Sequence, residues 1–335
     1  MRTDFQHKMA AHCESGAVTA QINHAGLAIS EPMVFGISGG LFFGYFKLPT
    51  LDFPTFVLRN QPGKIRTKVQ KRLGLRIVSD RFKDPDRGMS ALDGLLDRNI
   101  PVAVQVDFFY MNYIPAYARA HFNAHFVNVV GKEDGHYLVS DSYHPAVARL
   151  AAGELKKARQ VKGPFAPAGF QFHVTGVDPD VDLRPGIRAG IKQTCFYMLR
   201  LPISFMGIRG IRKFGDKVLE WPSLCRDTDH LSHEIMMIHV ILEDRGTGGG
   251  GFRFLYASFL REAAALLDNT ELDRLAVEMM ANGDAWRQIS LFVARIGKAR
   301  DLGPERLAEL RGMIHERAQV EQELFSRLYA EAKKR

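Results

Sequence analysis

The sequence predicts an α+β domain followed by a helical domain, and three observations carry that expectation. In the first half, runs with the two-residue apolar alternation of strands are interspersed with runs at helical spacing. The stretch "DPDVDLRPG", residues 178–186, then combines proline, glycine and alternating aspartates with no apolar period, as a linker does. Beyond it the apolar residues keep helical spacing nearly to the end. The expected domains are therefore 1–178 and 179–335, the second an accessory or lid domain.

Taken in order, "CESGAVTAQINHAGL" has helical composition and ends near Gly26. "PTFVLR" reads as extended, "KIRTKVQKRLG" as helical and "LRIVS" as extended again. "GMSALDGLLDRN" is a short helix that leads into the strand "IPVAVQVDF". Two further strands, "HFVNVVG" and "HYLVSDSY", flank a turn containing Asp134 and Gly135, and "GFQFHVTGV" closes this half. After the linker, "TDHLSHEIMMIHVILEDR" carries an apolar stripe that "GTGGGG" interrupts. "FRFLYASFLREAAALL" resumes it, and "ERLAELRGMIHERAQVEQELFSRLYAEAKKR" reads as a long terminal amphipathic helix.

Several function classes are set aside by composition. The N-terminus lacks the continuous apolar stretch of a secretory signal, and "PMVFGISGGLFFGYF" is too short and glycine-rich for a membrane span. The three cysteines, Cys13, Cys195 and Cys225, fit a reducing cytoplasm better than a disulfide scaffold. The net charge of +8 is concentrated: Arg184–Lys217 holds eight Lys and Arg against the single acid Asp216, interleaved with Phe196, Tyr197, Met198, Phe205 and Met206. Such a segment suits an acidic protein partner, an anionic membrane surface or a long acyl chain, or is simply the solvated face of a helix pair. Neither zinc-finger spacing nor an RNA-binding aromatic signature is present, so nucleic acid is not expected. No metal site is expected: His121 and His125 are four apart but His125 lies in a strand pattern, and "HLSHE" lacks the zinc-protease order.

The chemistry-bearing candidate is Cys13, at the start of a predicted helix. Partial positive charge there favours the thiolate, although a cysteine in that place is also at home as a small core residue. A nucleophilic thiol needs a base and the base an orienting group. His125 opens one predicted strand and Asp141 closes the next. A two-residue Asp134-Gly135 loop puts them on opposite faces of the hairpin. A three-residue loop, Glu133 to Gly135, pairs Val127 with Asp141 and puts both on one face as diagonal neighbours about 7–8 Å apart.

The histidine-then-aspartate hairpin resembles that of the papain-like cysteine peptidases that trim bacteriocin leader peptides. "HCES" followed by "GLAISEPMVFGISGGLFFGY" resembles the N-terminal domain of the butirosin-biosynthesis protein H family, and "GTGGGGFRFLYASFLREAA" is similar to the helical domain that follows it there. The resemblance implies a papain-like fold, an antiparallel sheet with an N-terminal nucleophile helix, plus a C-terminal helical domain. It implies an acyltransferase with no bound cofactor, whose donor is the phosphopantetheine thioester of an acidic acyl carrier protein and whose acceptor is a small amine. Carried over, Cys13 takes the acyl group, His125 acts as base and then acid, and Asp141 orients His125. An upstream glutamine would steady the oxyanion; Gln6 is the candidate, seven residues before Cys13 where leader peptidases use six. The Cys13 N–H is a second donor for that oxyanion.

Weaker candidates follow. Glu31, before Pro32, caps or pairs locally, or takes a site role from its place in the family-like block. "GTGGGG" is either a phosphate cradle or a close-packed connection, and it lacks the Lys-Ser/Thr of a nucleotide loop. Arg253 is a candidate contact for phosphopantetheine or acceptor, and Tyr256 is core or a substrate contact. His12 reads as a capping residue. The leading expectation is a cysteine acyltransferase; a peptidase or amidase using the same three residues and a non-catalytic papain-like binding module are the alternatives.

Overall fold

The computed structural model describes residues 2–47 and 51–334. In order its elements are α1 (Cys13–His24), α2 (Glu31–Ile37), β1 (Leu41–Phe46), β2 (Thr55–Arg59), α3 (Lys64–Leu73), β3 (Arg76–Asp80), α4 (Pro85–Leu96), β4 (Val102–Val106), β5 (His125–Glu133), β6 (His136–Ser140), β7 (Ala148–Ala151), α5 (Ala152–Ala158) and β8 (Gln171–Gly176). Helices follow: α6 (Arg184–Cys195), α7 (Gly207–Val218), α8 (Trp221–Leu224), α9 (Thr228–His239), α10 (Arg253–Leu267), α11 (Thr270–Ala299) and α12 (Pro304–Glu331). The chain is α+β, with an antiparallel sheet and a C-terminal helical region.

Two compact units are formed, Met1–Val34 with Pro62–Asp182, and Phe35–Gln61 with Leu183–Arg335. The change at Asp182/Leu183 lies beside the expected linker, which is shorter than it reads. Arg184 already begins α6, because Pro185 in a first helical turn has no N–H bond to lose. The segment 35–61 departs from the expected division at 178/179, and aromatic burial is the reason. Phe43 and Phe56 from β1 and β2 stack at 5.8 Å and pack against Phe214 of α7, and Trp221 donates its indole N–H to the Tyr45 hydroxyl at 3.1 Å. The sequence reading also lacked β1, whose "LFFGYF" is buried at four of six positions and so shows no alternation.

The first unit is built on a six-stranded sheet of order β3-β8-β4-β5-β6-β7, antiparallel at every junction. Val102, Val104, Val127, Val129, Tyr137 and Val139 form one core with Leu92 and Leu95 of α4 and Leu155 of α5. Gln21 of α1 donates to Asn128 Oδ1 of β5 at 3.0 Å and to the Pro101 carbonyl at 3.1 Å, which docks α1 on the sheet.

The β5–β6 register differs from either simple loop. Glu133 pairs with His136, Lys132 with Tyr137 and Gly131 with Leu138, so the loop is the two-residue Asp134-Gly135, both at positive φ (46° and 73°) as a type I′ turn requires. Val130 then bulges: beyond it Val129 pairs with Val139 and Asn128 with Ser140. One extra residue shifts the pairing by one and restores the face relation a three-residue loop would have given. The bulge is held from outside, since the Thr3 N–H and hydroxyl both donate to the Val130 carbonyl at 2.8 Å and Val130 packs with Phe5 and Leu138.

Candidate active site

An extended N-terminal segment delivers the nucleophile helix. His7 bonds Ser140 Oγ at 2.8 Å and the His144 carbonyl at 2.9 Å, and the Ala10 N–H donates to the Ser142 carbonyl at 3.2 Å. Cys13 follows as the first residue of α1 and is buried, its thiol donating to the Ala124 carbonyl at 3.8 Å. Gly16 is required one turn on, because a Cβ there would stand 2.5 Å from Ala10 Cβ of the incoming segment.

His125 and Asp141 meet as the bulged register demands. His125 Nε2 lies 2.8 Å from Asp141 Oδ2, both side chains are 1% exposed or less, and Cys13 is near enough to the His125 ring to act on its charge. With Nε2 engaged by the carboxylate, Nδ1 is the nitrogen left for the sulfur. Burial pushes the imidazole down, but Asp141 and then Cys13 more than reverse this and carry it to about 10. Burial pushes Asp141 up, yet His125, the Tyr143 N–H at 3.0 Å and the Tyr113 hydroxyl at 2.8 Å hold it below the usual carboxylate range. Phe108 meets the His125 ring edge-on at 4.9 Å and Tyr143 stacks on it at 5.6 Å. The imidazole is the group that can take a proton from an attacking nucleophile and return it to a leaving group.

Two neighbours set the geometry around Cys13. His12 caps α1, its Nδ1 accepting the Ser15 N–H at 3.2 Å, which leaves Nε2 toward the Cys13 sulfur at 4.0 Å. Glu31 accepts the Ala11 N–H at 2.8 Å, the His12 N–H at 2.9 Å and the Ser15 hydroxyl at 2.7 Å, while its own burial pushes its carboxyl up. Glu31 is thus a positioning residue that clamps the turn ahead of the nucleophile. With those two N–H groups taken, the Cys13 N–H has no acceptor among the described residues and is the next donor at the helix start. Tyr113 escaped the sequence reading because it lies in irregular chain between β4 and β5, where no period marks it. Its single signal was a tyrosine in an aromatic-rich stretch, "FFYMNY".

Other expected site residues are not brought to the thiol. In the extended segment Thr3, Phe5 and His7 face the sheet, so the alternate residue Gln6 is exposed. It lines a groove with Asp4, Lys8 and Glu31 that neither Cys13 nor His125 lines. Arg253 and Tyr256 lie in the second unit and are fully buried. Arg253 Nε and Nη2 engage the two oxygens of Glu321 at 2.9 and 3.1 Å, and Nη1 donates to the Gly251 carbonyl at 2.8 Å, so each guanidinium nitrogen is engaged inside the fold. Tyr256 is a core ring, 5.4 Å from Phe259. The glycine loop is close packing and not a cradle: the Gly250 N–H is already taken by Glu243, and a Cβ on Gly249 or Gly250 would stand 2.3 Å from Arg287 NH2 or 2.8 Å from the Gly283 carbonyl. Among the described residues no cluster of three or more His, Cys, Asp or Glu could hold a metal, and no helix is long and apolar enough to cross a membrane.

The buried Arg253–Glu321 pair, which also receives Asn282 and Trp286 on Glu321, has a stability role that can be measured. Arg253→Ala leaves that carboxylate without its cation and is expected to cost about 3–5 kcal/mol of unfolding free energy in urea titrations. Acyl transfer lost with stability unchanged would instead return Arg253 to the substrate.

Residues 12–142 match the family described as butirosin biosynthesis protein H, N-terminal, and residues 153–328 match a domain of unknown function, DUF4872. The chain belongs to the DUF4872 family, whose model spans more than half of it, and carries ahead of that domain a region similar to the butirosin biosynthesis protein H N-terminal family. That region begins at His12, next to the thiol, and ends at Ser142, next to Asp141, so it spans the whole constellation. Among solved structures, one titled as a C39-like peptidase candidate from Bacillus anthracis matches with 10% identity and a TM-score of 0.37, covering 53% of this chain and all of that one. A likeness that distant bears on neither substrate nor mechanism. No curated protein matches.

Proposed function

We propose that the protein is an acyltransferase in which Cys13 takes an acyl or aminoacyl group from a carrier-protein phosphopantetheine thioester and passes it to an amine. The observation that carries the reading is the buried cluster of Cys13, His125 and Asp141, with His125 bonded to the carboxylate at 2.8 Å and its imidazole charge favoured by Asp141 and by the nearby Cys13. In the first half-reaction the Cys13 thiolate attacks the thioester carbonyl, and the tetrahedral oxyanion is met by the Cys13 N–H. The carrier sulfur leaves and takes a proton from His125. In the second, an amine attacks the acyl-cysteine, His125 accepts the amine proton, and collapse releases the amide and the thiolate. Exchange between two thioesters is close to isoenergetic, so the amide formed in the second step supplies the drive.

Transfer over hydrolysis is supported by how dry the site is. Cys13, His125 and Asp141 are each at most 3% exposed, and Phe108 and Tyr143 cover the imidazole. Water is thereby kept from the acyl-enzyme until an acceptor arrives. The family resemblance supplies the carrier thioester as donor.

The test is intact-mass spectrometry of the full chain incubated with acyl-carrier thioesters, followed by a chase with amines or buffer alone. An adduct of acyl mass that amines discharge to amide faster than buffer discharges it to acid is expected. Discharge to acid at the same rate with or without amine would replace the transferase by a hydrolase.

A further inference from the structure

The second unit contains an open cavity of about 550 Å³ that no part of the Cys13 chemistry uses. Its walls come from a π-helical turn, Phe196–Arg200, that continues α6, from the start of α7, and from the last turns of α12. Single π-helical turns recur at functional sites because the wider turn displaces side chains from the helical register. Gly207, at φ +58°, lets the following chain close over that turn: a Cβ there would stand 2.3 Å from the Met198 carbonyl. That approach sets Met206 and Arg209 in one wall with Met198 in another.

The lining combines two chemistries. Met198, Leu199, Leu201, Met206 and Ile208 give it an apolar side. Arg200, Arg209 and Arg212 give it three guanidinium groups, and no Asp or Glu lines it. Arginines elsewhere in this unit are mostly neutralised: Arg287 by Glu243, Arg300 by Asp229, Arg306 by Asp301, Arg311 by Asp216 and Arg327 by Glu271 and Glu278. The three in the cavity have no carboxylate partner among the described residues. Arg200 lies 4.5 Å over the Tyr329 ring, and Arg212 donates to Gln322 Oε1 at 2.6 Å. Three guanidinium groups thus line one cavity without a counter-charge, and an anion bound there gains from each of them. A dianionic phosphomonoester offers three acceptor oxygens to three forks, and a cavity of this volume is within the range that holds a small ligand.

We propose that this cavity binds an anionic amphiphile, a phosphomonoester carrying an alkyl or acyl chain, with the phosphate on Arg200, Arg209 and Arg212 and the chain along Met198, Leu201 and Met206. The same chemistry is presented by a soluble alkyl phosphate and by phosphatidic acid in a bilayer, so both sources are tested.

Isothermal titration of the full chain with decyl phosphate, below its micellar concentration, is compared with inorganic phosphate and with the neutral decyl maltoside. Decyl phosphate is expected to bind at least roughly tenfold more tightly than either. The double variant Arg209→Gln/Arg212→Gln, on exposed positions of α7, is expected to weaken decyl phosphate by a further factor of roughly tenfold per guanidinium, while Arg274→Gln leaves it unchanged. Co-sedimentation with phosphatidylcholine vesicles, with and without phosphatidic acid, assigns the source. Capture only with phosphatidic acid points to a membrane lipid, and binding of decyl phosphate without capture points to a soluble one. Absence of decyl phosphate binding, equal binding of inorganic phosphate or decyl maltoside, or an unchanged double variant would each overturn the proposal.

Discussion

Cys13→Ala is expected to abolish acyl-enzyme formation and to lower amide formation by about 10⁴-fold or more, with the fold retained. The reasoning is local. Cys13 contributes a long thiol bond to the Ala124 carbonyl, a 4.0 Å contact with His12 Nε2 and a small buried volume, so its truncation costs little stability. The α1 cap is made by His12 and Ser15, the turn before it is clamped by Glu31, and α1 is docked on the sheet by Gln21; none of these involves the sulfur. The sulfur is therefore dispensable for structure and indispensable for covalent catalysis. The paired measurement is intact mass after incubation with an acyl-carrier thioester together with a urea titration. An adduct of the same mass on Cys13→Ala would end the nucleophile assignment, and Cys195 is a poor substitute because burial pushes its thiol up to about 12.

His125 carries the second large effect, and it acts on both rate and stability. Its replacement removes the group that protonates the leaving thiol and deprotonates the amine, with an expected loss of about 10⁴-fold in turnover. His125→Gln is more informative than His125→Ala, since an amide N–H can still donate to Asp141. In the wild type, the His125 pKa is raised above the unfolded value of about 6.5. Its contribution to stability is fully present below that pH and is lost as the pH rises through about 10. Asp141 is depressed from 3.8, so its contribution is present above that value and lost as the pH falls through its lower folded value. The stability difference between wild type and His125→Gln should be greatest between about pH 4 and 6.5 and shrink toward pH 10. A difference flat across that range would show that folding leaves the His125 pKa unshifted, and one that grows as the pH rises through about 6.5 would show the histidine neutral in the fold.

The hairpin shows how far a one-dimensional reading reaches. His125 and Asp141 were recognisable as partners because each stands at the same end of adjacent strands, and turn chemistry identified Asp134-Gly135. Turn chemistry left a two-residue and a three-residue loop open, and only the second put His125 and Asp141 on one face. The loop has two residues, and the parity is restored by the bulge at Val130, beyond the third pair from the turn. A bulge among "VNVVG" has no local signature: what holds it is Thr3 and Phe5, more than a hundred residues earlier. Gln6 failed for a related reason, since which side of an extended segment faces the sheet depends on what that segment pairs with. Arg253 was a fair candidate as a lone arginine after a glycine loop, and only Glu321, sixty-eight residues away, turns it into a buried ion pair.

By itself the sequence determined the alternation of strands and helices in the first half, the helical second half, the linker, and the residue types needed for thiol chemistry in an order that the butirosin biosynthesis protein H family shares. Those properties are local, set by period, turn residues and motif spacing. The tertiary structure alone decided which nitrogen of His125 meets the carboxylate, that Tyr113, Glu31 and His12 shape the site, and that residues 35–61 join the C-terminal helices. Each of these depends on contacts between residues far apart in the chain, where burial and hydrogen-bond satisfaction choose among arrangements that the local pattern leaves equal.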